Sequence, residues 1–377
     1  MIHGYGNGKI FDGERFWDES VLLCENGKIL ARVSRDQCGE NIPCFDLKGG
    51  ILAPGFVDIQ VNGGGGVMFN EAVTEDDLET MVAAHRRFGT TSLLPTLISD
   101  SLETMQKAAR LIQRARQKKI PAVRGIHFEG PYINVHRKGV HRSEMIRAMD
   151  EEIVDLLISQ DLGVSVLTVA PEKVPGRVIK KLVDAGVRVC AGHSDASFAE
   201  MEHAFAHGVK GITHLFNAMS PFQGREPGVV GAALADPDCW CGIILDGFHV
   251  HPASIRVVTA AKQRGKVILV TDAMATVGAK IKEFWLNGEL IKAADGKCAT
   301  AAGVLAGSDL DMAAAVRNCL SMLDFNLEEA LRMASLYPAE FIGLAGKIGR
   351  LQPGYDEDLV LLNKQLRVEK TWIGGKE

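Results

Sequence analysis

The sequence predicts an α/β protein, a (β/α)8 TIM-like barrel with a small β-sandwich formed from both chain termini. Three observations predict it. Between Phe56 and Val270, eight short apolar runs alternate with segments of helical spacing, and that alternation builds parallel sheet covered by helices. Outside this stretch the chain switches to short strands punctuated by Gly and Pro, the rhythm of antiparallel sheet. Finally, polar and ionisable residues stand where the apolar runs end, the rim on which such barrels keep their chemistry. A doubly wound open sheet is the structural alternative.

In chain order, Lys9–Phe11, Ser20–Cys24 and Lys28–Val33 read as strands, with a hairpin turn at Asn26-Gly27 in ENGKI. GRLQPGYDEDLVLLN and VEKTWIGGK repeat that character at the other end. Residues 1–54 and 346–377 are therefore expected to pair as one small β-sandwich domain, and 55–345 to form the barrel. Its strands are expected at Phe56–Val61, Thr91–Leu97, Val123–Phe128, Val164–Val169, Val187–Ala191, Gly211–Thr213, Gly242–Leu245 and Val267–Val270. Helices are expected at Thr74–Phe88, where TEDD makes a capping box, and at Ser101–Lys118, Glu144–Ser159, Pro175–Ala185, Ser197–His207 and Pro252–Arg264. Further helix follows at Asp309–Leu323 and Leu327–Leu336, with Ser308 as a cap.

Composition narrows the function. With 377 residues, 46% hydrophobic and 24% charged, the chain can bury a large core and is not disordered. A net charge of −5 offers no basic field for nucleic acid. No basic-then-apolar leader opens the sequence, and no apolar run reaches the roughly 18 residues of a membrane span. The eight cysteines include no CxxC, which fits reduced thiols in a cytoplasmic setting rather than a disulfide framework.

The strand ends carry the chemistry. Val123–Pro131, VRGIHFEGP, is an apolar strand that runs into Glu129 and stops at Gly130-Pro131. Strand five ends in His193 and strand six in His214, each flanked by small residues (AGHSD, ITHLFN). One carboxylate and two imidazoles suit a divalent transition metal that keeps an open position. ILVT leads into Asp272, which places one acid as a general base; a helix cap or ion-pair role is the alternative. In DGFH, Asp246 caps backbone and His249 contacts ligand. Arg225, in the expected rim loop GREPGVVGA, suits a phosphate or carboxylate, or else pairs with Glu226 at the surface. Of His136 and His141, one polarises a carbonyl and the other is ordinary surface, as are His203 and His207. Gly63–Gly66 lacks the phosphate-loop lysine and hydroxyl and reads as a flexible rim turn.

LAPGFVDIQVNGGGGVMFN, HFEGPYIN, AGHSDA, THLFNAM, GREPGVVGA, DGFHV, LVTDAMA and LAGSDL together resemble the metal-dependent amidohydrolase superfamily, and within it the deacetylases acting on N-acetylglucosamine 6-phosphate. The resemblance covers about residues 50–340; the terminal sheets match in pattern only. It implies one divalent metal ion per subunit, Zn2+ first, with Fe2+, Mn2+ or Co2+ also suited, held by Glu129, His193 and His214. It implies Asp272 as catalytic acid/base and His141, in KGVH, as the group that polarises the acetyl carbonyl. Val140, His141, Asn217, Ala218, Arg225, His249, Leu305, Ala306 and Gly307 would contact a small-molecule sugar phosphate. A homodimer or homotetramer is implied, with part of the phosphate site reaching across the subunit boundary. The galacto epimer is the alternative substrate, and a catalytically inactive scaffold a remote one. Many members of the superfamily bind two metals through an HxH pair on strand one. Here Gln60 and Asn62 stand in those places, poor ligands for a second ion, so a mononuclear site is expected.

Overall fold

The computed structural model describes residues 1–39, 41–72, 74–159 and 161–377. Eight parallel strands form the central sheet: β1 (Phe56–Val61), β2 (Thr90–Ile98), β3 (Gly125–Glu129), β4 (Val164–Val169), β5 (Arg188–Ala191), β6 (Gly211–Ile212), β7 (Trp240–Ile243) and β8 (Val267–Leu269), paired in sequence order. The ring closes where the chain leaving β8 meets β1: Val61 bridges Ala273, and the Asp272 amide donates to the Gln60 carbonyl at 3.0 Å. Every residue of β1, β2 and β3 is buried, as expected for strands covered on both faces.

The helices are α1 (Glu75–Arg86), α2 (Leu102–Gln117), α3 (Glu151–Ser159), α4 (Gly176–Asp184), α5 (Phe198–Ala206), α6 (Gly228–Ala235), α7 (Pro252–Ala261), α8 (Met312–Leu323), α9 (Leu327–Ala334) and α10 (Leu336–Phe341). The Thr74 capping box is present, and Ser197 and Glu200 make a second one on α5. Four expectations need correction. The chain from Glu144 runs through a 3-10 turn at Ser143–Met145, and α3 begins only at Glu151. Helix α8 is capped by Asp311, whose side chain accepts from the Ala314 amide. Ser308 instead ends a strand and donates to the Thr271 carbonyl at 2.5 Å. Gly228–Ala232, expected in a loop, opens α6. Gly63–Gly66 is not a loose turn: Gly63–Gly64 pairs with Val67–Met68, and the amides of Gly63, Gly65 and Gly66 donate to the carbonyls of Ala273, Val277 and Ala275.

Both termini build two further sheets. One orders Lys28–Ser34, Ser20–Glu25, His3–Gly6 and Cys44–Asp46; the other orders Val368–Trp372, Leu359–Leu362, Ile51–Pro54, Lys9–Phe11 and Phe16–Trp17. Tyr5, Ile10, Leu22, Leu52, Leu361 and Trp372 form a core separate from that of the barrel. Between β8 and α8 lies an insertion, an antiparallel sheet of Glu283–Leu286, Glu289–Ala294, Lys297–Ala299 and Leu305–Ser308. Ser308 bridges Ala273, so the insertion is anchored at the rim. Among the described residues, no helix is long and apolar enough to cross a membrane.

Candidate active site

The ends of β3, β5, β6 and β8 converge over the barrel mouth. Glu129 Oε1 lies 2.9 Å from His193 Nε2 and 2.9 Å from His214 Nε2, and the two imidazole nitrogens are 3.0 Å apart. Among the described residues, this is the only group of three such side chains with ligand atoms so close. His193, His214 and Asp272 all adopt left-handed backbone conformations, with φ of 49°, 32° and 53°. That region costs an L-residue about 1 kcal/mol or more each. Here it turns the chain sharply after the strand and carries the side chain over the mouth.

The three atoms fit a cation. His193 Nδ1 is 2.8 Å from the Arg137 carbonyl, which can only accept, so Nδ1 bears the proton and Nε2 presents a lone pair. Three lone-pair-bearing atoms within about 3 Å of each other repel unless a proton or metal ion lies between them. Burial opposes ionisation of Glu129, but the hydrogen bonds and charge of both histidines hold its carboxyl well below the usual range. For His214, burial lowers the imidazole, and the Glu129 hydrogen bond and charge more than offset it. Among the described residues, its Nδ1 is buried without a hydrogen-bond partner.

Gln60 and Asn62 contribute amide donors. The single Gln60 Nε2 donates to Glu129 Oε2 at 3.2 Å and to Asp272 Oδ1 at 3.1 Å, and Asn62 Nδ2 donates to Asp272 Oδ1 at 2.6 Å. Both amides therefore present hydrogen to carboxylate oxygen. This leaves Glu129 Oε1 facing the histidines and, among the described residues, Asp272 Oδ2 without an amide donor. Burial, reinforced by the charge of Glu129, lifts the Asp272 carboxyl from 3.8 to about 6.

His141 is buried beside His193, with ring centroids 4.4 Å apart. The Ser99 amide donates to His141 Nδ1 at 3.2 Å, and Ser99 Oγ lies 2.7 Å from the same atom. A backbone N–H cannot accept, so Nδ1 is the bare nitrogen and Nε2 carries the hydrogen. Burial and the neighbouring histidine lower His141 to about 3, so it is a neutral donor at ordinary pH.

Asn62, Glu129, His141, His193, His214 and Asp272 line a cavity of about 270 Å³ together with Val140, Asn217, Ala218, His249, Met274, Val304, Leu305 and Gly307. Asp246 accepts from the amides of Phe248 and His249 and holds His249 Nδ1 at 2.6 Å. Gly307 has φ 56°, and a Cβ there would lie 2.6 Å from Met274 and 2.8 Å from the Asp272 carbonyl, so no larger residue fits. Two expected contacts do not line the cavity. Ala306 alternates away from it, into a cluster with Met68, Met274 and Cys298. Arg225 is exposed on the loop before α6, and Glu226 accepts from the Phe198 and Gly228 amides rather than pairing with it.

Sequence reasoning missed Ser99 and two buried supports. Asp58 accepts from the Gln60 and Thr271 amides and from Thr271 Oγ1, at 3.2, 3.3 and 2.5 Å. It thereby ties the end of β1 to the end of β8. His127 donates to the Ile59 carbonyl and meets Thr168 Oγ1, filling the barrel beneath Glu129. An acid inside the apolar run FVDIQV was the one available signal for Asp58.

Residues 51–377 match the model of the Amidohydrolase family. The chain belongs to that family. This amidohydrolase is 44% identical over 336 residues to the N-acetylgalactosamine-6-phosphate deacetylase of Shewanella sp. (strain ANA-3), covering 89% of this chain and 84% of the relative. It is 36% identical over 363 residues to the N-acetylglucosamine-6-phosphate deacetylase of Haemophilus influenzae, covering 95% and 94%. The crystal structure of N-acetylglucosamine-6-phosphate deacetylase from Pasteurella multocida superposes with a TM-score of 0.97 at 36% identity, over 100% of this chain and 99% of that one. A mutant of the Mycobacterium smegmatis deacetylase in complex with N-acetyl-D-glucosamine-6-phosphate gives 0.90 at 30% identity, over 100% and 98%.

Proposed function

We propose that this amidohydrolase removes the acetyl group of N-acetyl-D-glucosamine 6-phosphate, giving D-glucosamine 6-phosphate and acetate. The observation that carries the reading is the meeting of Glu129, His193 and His214 at 2.9–3.0 Å, joined through Gln60 to Asp272. The relatives' named activities support it. A divalent ion held by Glu129, His193 and His214 would supply a Lewis acid that acidifies water and polarises the amide carbonyl; Zn2+ is the first choice, and Fe2+, Mn2+ and Co2+ suit the same donors. Asp272, fixed through Oδ1, takes the proton of the attacking water on its free oxygen. It then returns that proton to the departing amine nitrogen. His141 donates Nε2–H to the acetyl oxygen as negative charge develops there, an effect worth about 3 kcal/mol for one placed donor.

The sugar phosphate is assigned to Val140, Asn217, Ala218, His249 and the Leu305–Gly307 backbone. Arg225, exposed away from its own cavity, is assigned to the phosphate across the interface of a homodimer or homotetramer. We further assign residues 1–54 and 346–377 to one β-sandwich domain, 55–345 to the catalytic barrel, and the protein to the cytoplasm, which its eight free thiols suit. The 44% identical relative favours a second reading, the same reaction on the galacto epimer. Acetate release with both sugar phosphates tests this: a higher kcat/KM on the gluco substrate supports the main reading. Preference for the galacto substrate replaces it, and release from neither removes the reaction altogether.

A further inference from the structure

We propose a second transition-metal site on the outside of the barrel, made by His203 on α5 and His207 at the C-cap of that helix. It goes beyond the reaction proposed above and uses none of its residues. The two histidines are four apart, one in the last turn of α5 and the other at its C-cap, close to the spacing by which paired helical histidines chelate a metal. Their ring centroids are 4.3 Å apart. Both Nε2 atoms lie 2.8 Å from the place where a Cβ on Gly176 would be. The two nitrogens are therefore no more than twice that distance apart, and they open onto a notch that exists because position 176 has no side chain.

The tautomer of His207 favours binding. His207 Nδ1 is 2.8 Å from the His203 carbonyl, so Nδ1 carries the hydrogen and Nε2 keeps its lone pair for a metal. His203 has no hydrogen-bond partner among the described residues, and it is exposed. Nearby cations are turned elsewhere. Lys180 pairs with Asp184 at 2.8 Å, and Arg177 lines a separate cleft with Met149, Asp150 and Glu151. His207 caps the carbonyl end of α5, whose field favours a cation, whereas Gly176 opens α4, whose amino end opposes it. These fields offset each other, so affinity rests on two metal–nitrogen bonds with water in the remaining positions. Imidazole donors without thiolate or carboxylate suit Cu2+, Ni2+ and Zn2+, with Cu2+ the tightest.

The test titrates the enzyme, already holding its tight ion, with NiCl2 and then CuCl2 in equilibrium dialysis with elemental analysis. The native chain is expected to take up a second ion, weaker than the first, that 50-fold excess imidazole removes. His203→Gln and His207→Gln should each weaken that uptake at least 10-fold while leaving the tight ion and acetate release unchanged. Gly176→Ala, which fills the notch, should weaken it as well. Uptake of no second ion, or equal uptake by both glutamine variants and the native chain, would overturn the proposal. Failure of acetate release in the native chain would count against the catalytic reading and leave this site standing.

Discussion

Replacing Asp272 by Asn separates what the carboxylate does for catalysis from what it costs the fold. The amide keeps an oxygen to accept from Gln60 Nε2 and Asn62 Nδ2, so the local structure should persist, but it cannot take a proton from water. General acid–base groups contribute roughly 100- to 10,000-fold, and here one group serves both proton transfers. We therefore expect kcat to fall at least 1,000-fold, with KM and the tightly bound ion retained. Stability should move the other way. Burial and the Glu129 charge raise Asp272 from 3.8 to about 6. A folded carboxyl with a raised pKa binds more protons than the unfolded chain between those values, so stability is full below about pH 4, falls as pH rises to about 6, and is flat above. At about 1.4 kcal/mol per decade, ionised Asp272 costs the metal-free protein about 3 kcal/mol at pH 8. Asp272→Asn should recover much of that as a higher Tm in metal-free protein at pH 8, and little of it at pH 4. Calorimetry and an acetate assay check both halves. Near-native kcat, or a metal-free variant less stable than the parent at pH 8, refutes the reasoning.

Other outcomes follow from the same geometry. Gln60→Leu removes donors to two carboxylates, each worth about 1.5–3 kcal/mol, and should lower kcat about 100-fold with KM within a few-fold; steady-state kinetics showing an unchanged kcat would contradict the clamp. Arg225→Ala should raise KM about 10-fold or more and leave kcat within about threefold, because phosphate binding is shared by ground and transition states; a loss confined to kcat would remove that role. Burial raises Asp58 to about 7 against an ordinary 3.8, so it also makes stability fall as pH rises from about 4 to 7. Asp58→Asn should flatten that part of the Tm profile, and a slope identical to the parent's would show that Asp58 does not titrate there.

The barrel was legible because buried parallel strands are near-continuous apolar runs, and Glu129 because two other strand ends carry histidines; alone, a strand-terminal Glu reads as a solvent-facing side chain. His193 and His214 were legible from the small residues beside them, although the left-handed turns that aim them were not. Helix starts were less visible. The 144–159 stretch has helical spacing throughout, yet the Arg147 side chain reaches the Asp100 carbonyl at 2.7 Å, its amide donates to the Pro131 carbonyl at 3.2 Å, and the helix begins only at Glu151. The rim insertion was missed although Asn287-Gly288 is a hairpin signal; its φ values of 54° and 82° make the turn, and Asn287 Nδ2 donates to the Val140 carbonyl at 2.7 Å. Ser99 had no local signature, because its partner His141 lies 42 residues on. Arg225 lies exposed on the loop before α6, and nothing local in GREPGVVGA told whether it faces its own cavity.

The most direct measurement follows acetate release from N-acetylglucosamine 6-phosphate during chelation and stepwise return of Zn2+. Activity should vanish on chelation and return in full at one ion per chain, with Glu129→Gln failing to recover under the same titration. Release that survives chelation, or that needs two tightly held ions per chain, would contradict a single cation held by Glu129, His193 and His214 beside Asp272.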